Sequence, residues 1–259
     1  MRMGFLRDLR RRRIIARGTV PDDQWVSILE EHPVLDGLAE PELDRLRGLV
    51  TVFLHEKRFE GAAGVSLDEY RRTVIAAQAC LPILELGMDW YEGWSTVVVV
   101  PREFVGDFTQ VDEAGVVHEW QEEMGGESWD RGPLVVSWED VEASGWGDGY
   151  NVVIHEVAHK LDLGDGEVNG RPALHAGMDG AQWDTVMTAA LEDLRRRGPR
   201  ERKGKIDPYA AESPEELFAV ATESFFEEPR ALRRQYPDVY ALLRSFYRQD
   251  PARRERRKP

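Results

Sequence analysis

Apolar positions recur every three or four residues through much of the first ninety. From Pro41 onward, Leu43, Leu46, Leu49 and Val50 keep that spacing and share one face of a helix. Pro21 to Glu30 opens with a helix-start pattern. A further helix is predicted over 66–80, with Ser66 as its cap and Glu69 three residues on. Its apolar face is Leu67, Tyr70, Val74 and Ala77. The texture then changes. Ser95 to Val100 is a β-branched run stopped by Pro101, the composition of a buried strand. Residues 104–121 read as a hairpin about a turn at Asp112 to Gly115, and Pro133 to Trp138 as the last clear strand. A glycine-rich connection follows at 144–149. Helical spacing returns over 179–197, 214–227 and 229–248, with a polar, basic loop at 198–207. This is an α+β plan: helices, a small mostly antiparallel sheet, then more helices. It divides into a helical part at 1–90, a core at 91–250 and a basic, flexible tail at 251–259.

Within this pattern, residues 154–161 read Ile-His155-Glu156-Val-Ala-His159-Lys-Leu. Four residues is a little over one helical turn, so His155 and His159 project from the same face and can share one Zn²⁺. Glu156 can then take a proton from water activated by the metal rather than bind the metal itself. Asn151 is placed to start this helix. Apart from the triad, the segment is almost wholly apolar, with Val152, Val153, Ile154, Val157, Ala158 and Leu161. A buried carboxylate without a partner costs several kcal/mol, which argues that Glu156 faces a cleft.

Composition changes this picture little. Hydrophobic residues make up 42% and charged residues 32%, as in a globular chain. A formal net charge of −14 speaks against nucleic acid as a general partner. Basic residues gather at the two ends, as solvated termini or as a contact for an acidic partner. The single cysteine, Cys80, allows no intramolecular disulfide, and its apolar neighbours make it a core residue. No stretch has the length of a signal-peptide core or a membrane span, so a cytoplasmic protein is expected.

A catalytic zinc takes three protein ligands and keeps one position open. No third histidine follows at metal-ligand spacing, since His175 is the only later one and lies in a loop-like segment. The candidates are therefore carboxylates of the 209–226 segment: Glu212, Glu215, Glu216 and Glu223. Glu216 and Glu223 lie seven apart on one helical face with Ala219 and Val220 between. Ser213, Pro214 and Glu216 equally form a capping box, so spacing alone leaves the third ligand open.

The stretch His155-Glu-Val-Ala-His159-Lys-Leu-Asp162 is followed by Asp165-Gly166, Asn169-Gly170 and Pro172, then Asp207-Pro208-Tyr209 and Glu216-Leu-Phe-Ala-Val. Together these resemble the Mlc titration factor A family of zinc peptidases, closely over about 90–245 and loosely before. The resemblance implies a zincin-like (gluzincin) core, similar to that of anthrax lethal factor. It implies one Zn²⁺ held by His155, His159 and Glu216, with Glu156 as general base and Tyr209 in the active site, seven residues before the ligand glutamate. Glu223 would orient a ligand histidine. A phenol there could donate a hydrogen bond to the oxyanion of a tetrahedral intermediate. The implied substrate is a peptide or protein; the residues leave aminopeptidase or endopeptidase open. An alternative follows from the family name, which reflects titration of a transcriptional repressor, Mlc, and makes partner binding the main role.

Overall fold

The computed structural model describes residues 2–102, 108–111, 117–120, 132–197 and 206–255. The chain begins with α1 (Arg2–Arg17), α2 (Asp22–Glu31) and α3 (Glu40–Glu56), followed by β1 (Arg58–Gly61) and α4 (Glu69–Cys80). Next come β2 (Thr96–Val100), β3 (Phe108–Val111), β4 (Val117–Trp120), β5 (Leu134–Ser137) and α5 (Trp138–Ala143). The motif helix α6 (Val152–Asp162) precedes α7 (Gly180–Arg197), α8 (Pro214–Glu227), α9 (Pro229–Gln235) and α10 (Pro237–Tyr247).

The core sheet corrects the expected antiparallel arrangement. Its strands run β1-β2-β5, and both pairings are parallel, with Phe59 opposite Val97 and Val99 opposite Val136. Parallel strands are covered on both faces and so read as continuous apolar runs. Val97, Val99 and Val100 of β2 are accordingly buried, and so are Leu134 and Val136 of β5. The antiparallel pair β3-β4 forms a separate two-stranded ribbon, Phe108 opposite Trp120. This is the expected hairpin, and its turn lies outside the described residues.

Three boundaries move for identifiable reasons. Helix α4 starts at Glu69 because Asp68, not Ser66, is the cap, its carboxylate accepting from Arg71 N at 2.8 Å. Strand β5 stops at Ser137, whose hydroxyl accepts from Asp140 N at 3.2 Å and caps the unexpected helix α5. The helix expected over 229–248 breaks into α9 and α10, since Pro237 has no N–H and holds Tyr236 out of helical conformation (φ −131°, ψ 72°).

Helix α6 lies at the centre, packed on α8, β5 and α4. Its face of Val153, Ile154, Val157, Ala158 and Leu161 is fully buried, which leaves His155 and His159 on the side toward the cleft. Helix α8 is buried from Leu217 to Glu227, anchored by Phe218, Phe225 and Phe226 against Trp183, Phe246 and Tyr247. Two buried helices in direct contact therefore carry the candidate site. Residues 251–255 pack against the body through Ala252 and through Arg254, which donates to Gln249 Oε1 at 2.8 Å.

Candidate metal centre

Helix α6 is started by Asn151, whose Oδ1 accepts from Ile154 N at 2.9 Å. One turn on, His155 Nε2 stands 3.1 Å from His159 Nε2. From α8, Glu216 brings Oε2 to 3.2 Å from His155 Nε2 and Oε1 to 3.6 Å from His159 Nε2. In a tetrahedral site with bonds of 2.0–2.1 Å, donor atoms are about 3.3 Å apart. The three observed separations bracket that value, so these residues fit a single small cation. The choice between cap and ligand for Glu216 resolves by division of labour. Its backbone N–H donates to Ser213 Oγ at 3.2 Å, while its side chain turns to the histidines.

Glu223, two turns further along α8, places Oε1 2.8 Å from His155 Nδ1. A carboxylate accepts, so Nδ1 carries a proton, and Nε2, which faces His159 and Glu216, is the nitrogen that would bind a metal. Oε2 of the same carboxylate accepts from Asn151 N at 2.7 Å. Tyr209 sets its ring 6.2 Å from that of His155 at a tilt of 37°, and its hydroxyl bonds the Glu216 carboxylate. Glu156 and His159 line a cleft of about 220 Å³ together with Pro133, Val135, Lys160, Leu163 and Val168. His175 is elsewhere: Nε2 donates to Phe246 O at 2.8 Å and Nδ1 accepts from Arg248 at 3.2 Å, so both ring nitrogens are occupied.

The electrostatics suit a cation. Burial works against a charged His155, but hydrogen bonds to Glu216 and Glu223 prevail and raise its pKa to about 10. His159 moves down to about 4, through burial and then the charge on His155. Burial opposes ionisation of Glu216, yet the hydrogen bond from His155 and the charge of both imidazoles hold its carboxyl below the usual range. Burial pushes Glu156 and Glu223 upward. Carboxylates thus surround two imidazoles and hold one positive charge among them.

A family profile described as glucose-regulated metallo-peptidase M90 matches residues 6–248. The chain belongs to the M90 metallopeptidase family. Within it, the chain is 38% identical over 227 residues to a Salmonella arizonae protein named Mlc titration factor A, covering 86% of this chain and 90% of that one. Identity to the Escherichia coli protein of the same name is 38% over 225 residues, covering 86% and 84%. For the Cronobacter sakazakii protein it is 37% over 226 residues, covering 86% and 85%. An M90 metallopeptidase calls for a metal ion, and His155, His159 and Glu216 are a donor set that fits one.

Several supports of this M90 site escaped the sequence. Fully buried Glu227 accepts from Asn151 Nδ2 at 2.8 Å and from Gly147 N at 2.6 Å, tying the loop before α6 to the end of α8. The glycine-rich connection at 144–149 is therefore tethered. The signal was available, because Glu227 follows Glu223 by four. Asp162, fully buried at the end of α6, accepts from Gly170 N at 2.7 Å, and Gly170 O accepts from Trp183 Nε1 at 2.9 Å. Gly170 has φ +78°, and an added Cβ would stand 2.6 Å from the carbonyl carbon of Pro214 and closer to its oxygen. Only glycine permits that approach, which seats the start of α8.

Proposed function

We propose that this protein is a zinc-dependent peptidase, with one Zn²⁺ held by His155, His159 and Glu216. The observation that carries the reading is the set of donor separations, 3.1, 3.2 and 3.6 Å, with Glu156 on the wall of the adjoining cleft. When bound there, zinc supplies Lewis-acid polarisation of a carbonyl and acidifies water. Glu223 fixes the His155 ring so that Nε2 is the donating nitrogen. Glu156 is the general base: burial raises its pKa toward the range in which a carboxylate both accepts a proton and returns it to a leaving amine. Tyr209, whose hydroxyl bonds the Glu216 carboxylate, would turn that O–H to the oxyanion of a tetrahedral intermediate when substrate is bound. Strand β5 pairs only with β2 among the described residues and borders the cleft through Val135, with Pro133 just before the strand. An extended substrate peptide adds along that strand.

The test is Glu156→Gln. Metal content stays near one per chain while hydrolysis of a peptide mixture falls by about a hundredfold or more. Unchanged hydrolysis would remove Glu156 from the mechanism, and absence of metal in the folded wild type would end the reading altogether.

The names of the relatives favour a second reading, binding of an Mlc-like transcriptional repressor. Among the described residues no helix is long and apolar enough to cross a membrane. A cytoplasmic location agrees with both readings. If repressor binding is the main role, purified Mlc binds wild type and Glu156→Gln equally, and peptide turnover is slight in both.

A further inference from the structure

Four apolar residues from three segments line the cleft beside the metal centre. Pro133 stands just before β5, Val135 lies on it, Leu163 follows α6, and Val168 comes a few residues later. With Glu156, His159 and Lys160 they enclose about 220 Å³. Pockets that take a whole small molecule begin at roughly 300 Å³, so this one suits a single side chain.

The four are not spare core residues. None of them belongs to the hydrophobic core or packs against it. Strand β5 shows the division: Leu134 and Val136 are buried on the core face, and Val135 alternates to the cleft. On the other side, Glu156, His159, Lys160 and Leu163 advance by three or four and share one face. Val168 keeps 38% of its surface exposed, yet its segment is pinned at the base. Asp162, at the end of α6, accepts from Gly170 N at 2.7 Å, and Gly170 O accepts from the buried Trp183. Between them Gly166, at φ +98°, donates its N–H to Leu163 O at 2.8 Å. A short closed loop therefore carries Val168 to the cleft.

The charges of the cleft are already matched. Glu156 and Lys160 stand one turn apart on α6 and act on each other as opposite charges. An ionised side chain entering between them would leave water for apolar walls and find each charge balanced. We propose that the cleft is a subsite for an uncharged apolar side chain, with Val168 as the residue that sets the preference. This rests on the metallopeptidase reading: Glu156 and His159 line the same cleft, so its occupant belongs to the substrate residue adjoining the cleaved bond.

The experiment is calorimetric titration of the zinc-loaded, full-length protein with the hydroxamates of glycine, leucine, aspartate and lysine. The hydroxamate group chelates the metal, and the side chain beside it reports on the cleft. Leucine hydroxamate should bind about tenfold or more tighter than glycine hydroxamate, and the aspartate and lysine compounds no tighter than glycine. Val168→Asp should shrink the preference for leucine to about twofold or less, with metal content and melting temperature unchanged. Val26→Asp, at an exposed position on α2, should preserve it. Equal affinity across the series, tighter binding of the aspartate or lysine compound, or a preference that survives Val168→Asp would each overturn the proposal and leave the metal site standing. A folded protein that takes up no zinc would instead remove the metallopeptidase reading, and the subsite with it.

Discussion

Glu223 and His155 are joined by a 2.8 Å hydrogen bond between Oε1 and Nδ1, and the other carboxylate oxygen reaches the backbone N–H of Asn151, the first residue before the motif helix. One side chain from α8 therefore sets both the rotation of a candidate ligand ring and the position of the turn that carries it. Glu223→Gln keeps the shape but offers His155 an amide in place of a charged acceptor. Metal affinity should fall by about ten- to a hundredfold, measured by competition with a chromogenic chelator. An unchanged affinity would make Glu223 a packing residue.

Removing Glu216 is more drastic. Glu216→Ala leaves only two imidazole nitrogens, 3.1 Å apart. Purified side by side with the wild type, it should hold little metal by elemental analysis while retaining its helical circular dichroism. Full occupancy in both proteins would move the third ligand elsewhere, to Glu223 first.

The contact of Gly170 with Pro214 yields a prediction about stability. Gly170→Ala places a Cβ against the Pro214 carbonyl at a residue with φ +78°. The resulting strain should destabilise the fold by about 2 kcal/mol or more, read as a lower midpoint in denaturant unfolding. The displaced start of α8 should lower metal affinity in parallel. An unaltered midpoint would show that this approach is loose.

Lys57 gives a pH dependence remote from the metal. Its ammonium is buried, donating to Tyr91 O at 2.7 Å and to Trp94 O, over the Trp94 ring. Burial lowers its pKa from 10.5 to about 8. A base whose folded pKa is depressed penalises the native state in full below the folded pKa, and the penalty is relieved as pH rises toward the unfolded value. The penalty is about 3 kcal/mol at neutral pH. Between pH 8 and 10.5, wild-type unfolding free energy should therefore rise relative to that of Lys57→Met. The difference between the two proteins isolates this group from the buried Cys80 thiol and the tyrosines. Parallel curves would show that Lys57 titrates normally.

Much of the site was legible because it is written in local spacing. His155, Glu156 and His159 sit within one turn, and Asn151, Ser213 and Pro214 are residue types that begin helices wherever they fall. The β-branched run of β2 was equally plain. The direction of the sheet was not, because β1 reads Arg-Phe-Glu-Gly, with neither alternation nor an apolar run. Without that strand, the crossover through α4 that makes the sheet parallel is invisible. The choice among Glu212, Glu215, Glu216 and Glu223 could not come from spacing either. It depends on how α8 is rotated against α6, a tertiary fact that only the family resemblance anticipated. The same rotation brings Glu227 under Asn151.

The donor set on α6 and α8 also has a bearing on the order of events during synthesis. His155 and His159 emerge from the ribosome well before Glu216, with the whole of α7 in between. Until α8 docks, the chain can offer an ion only two imidazoles. Tight metal uptake therefore has to follow closure of the core around Phe218 and Phe225, and a chain arrested or misfolded before that step stays without its ion. On the proposed reading, occupancy of the centre would then record that folding has finished, and any hydrolytic chemistry would be withheld from every earlier species.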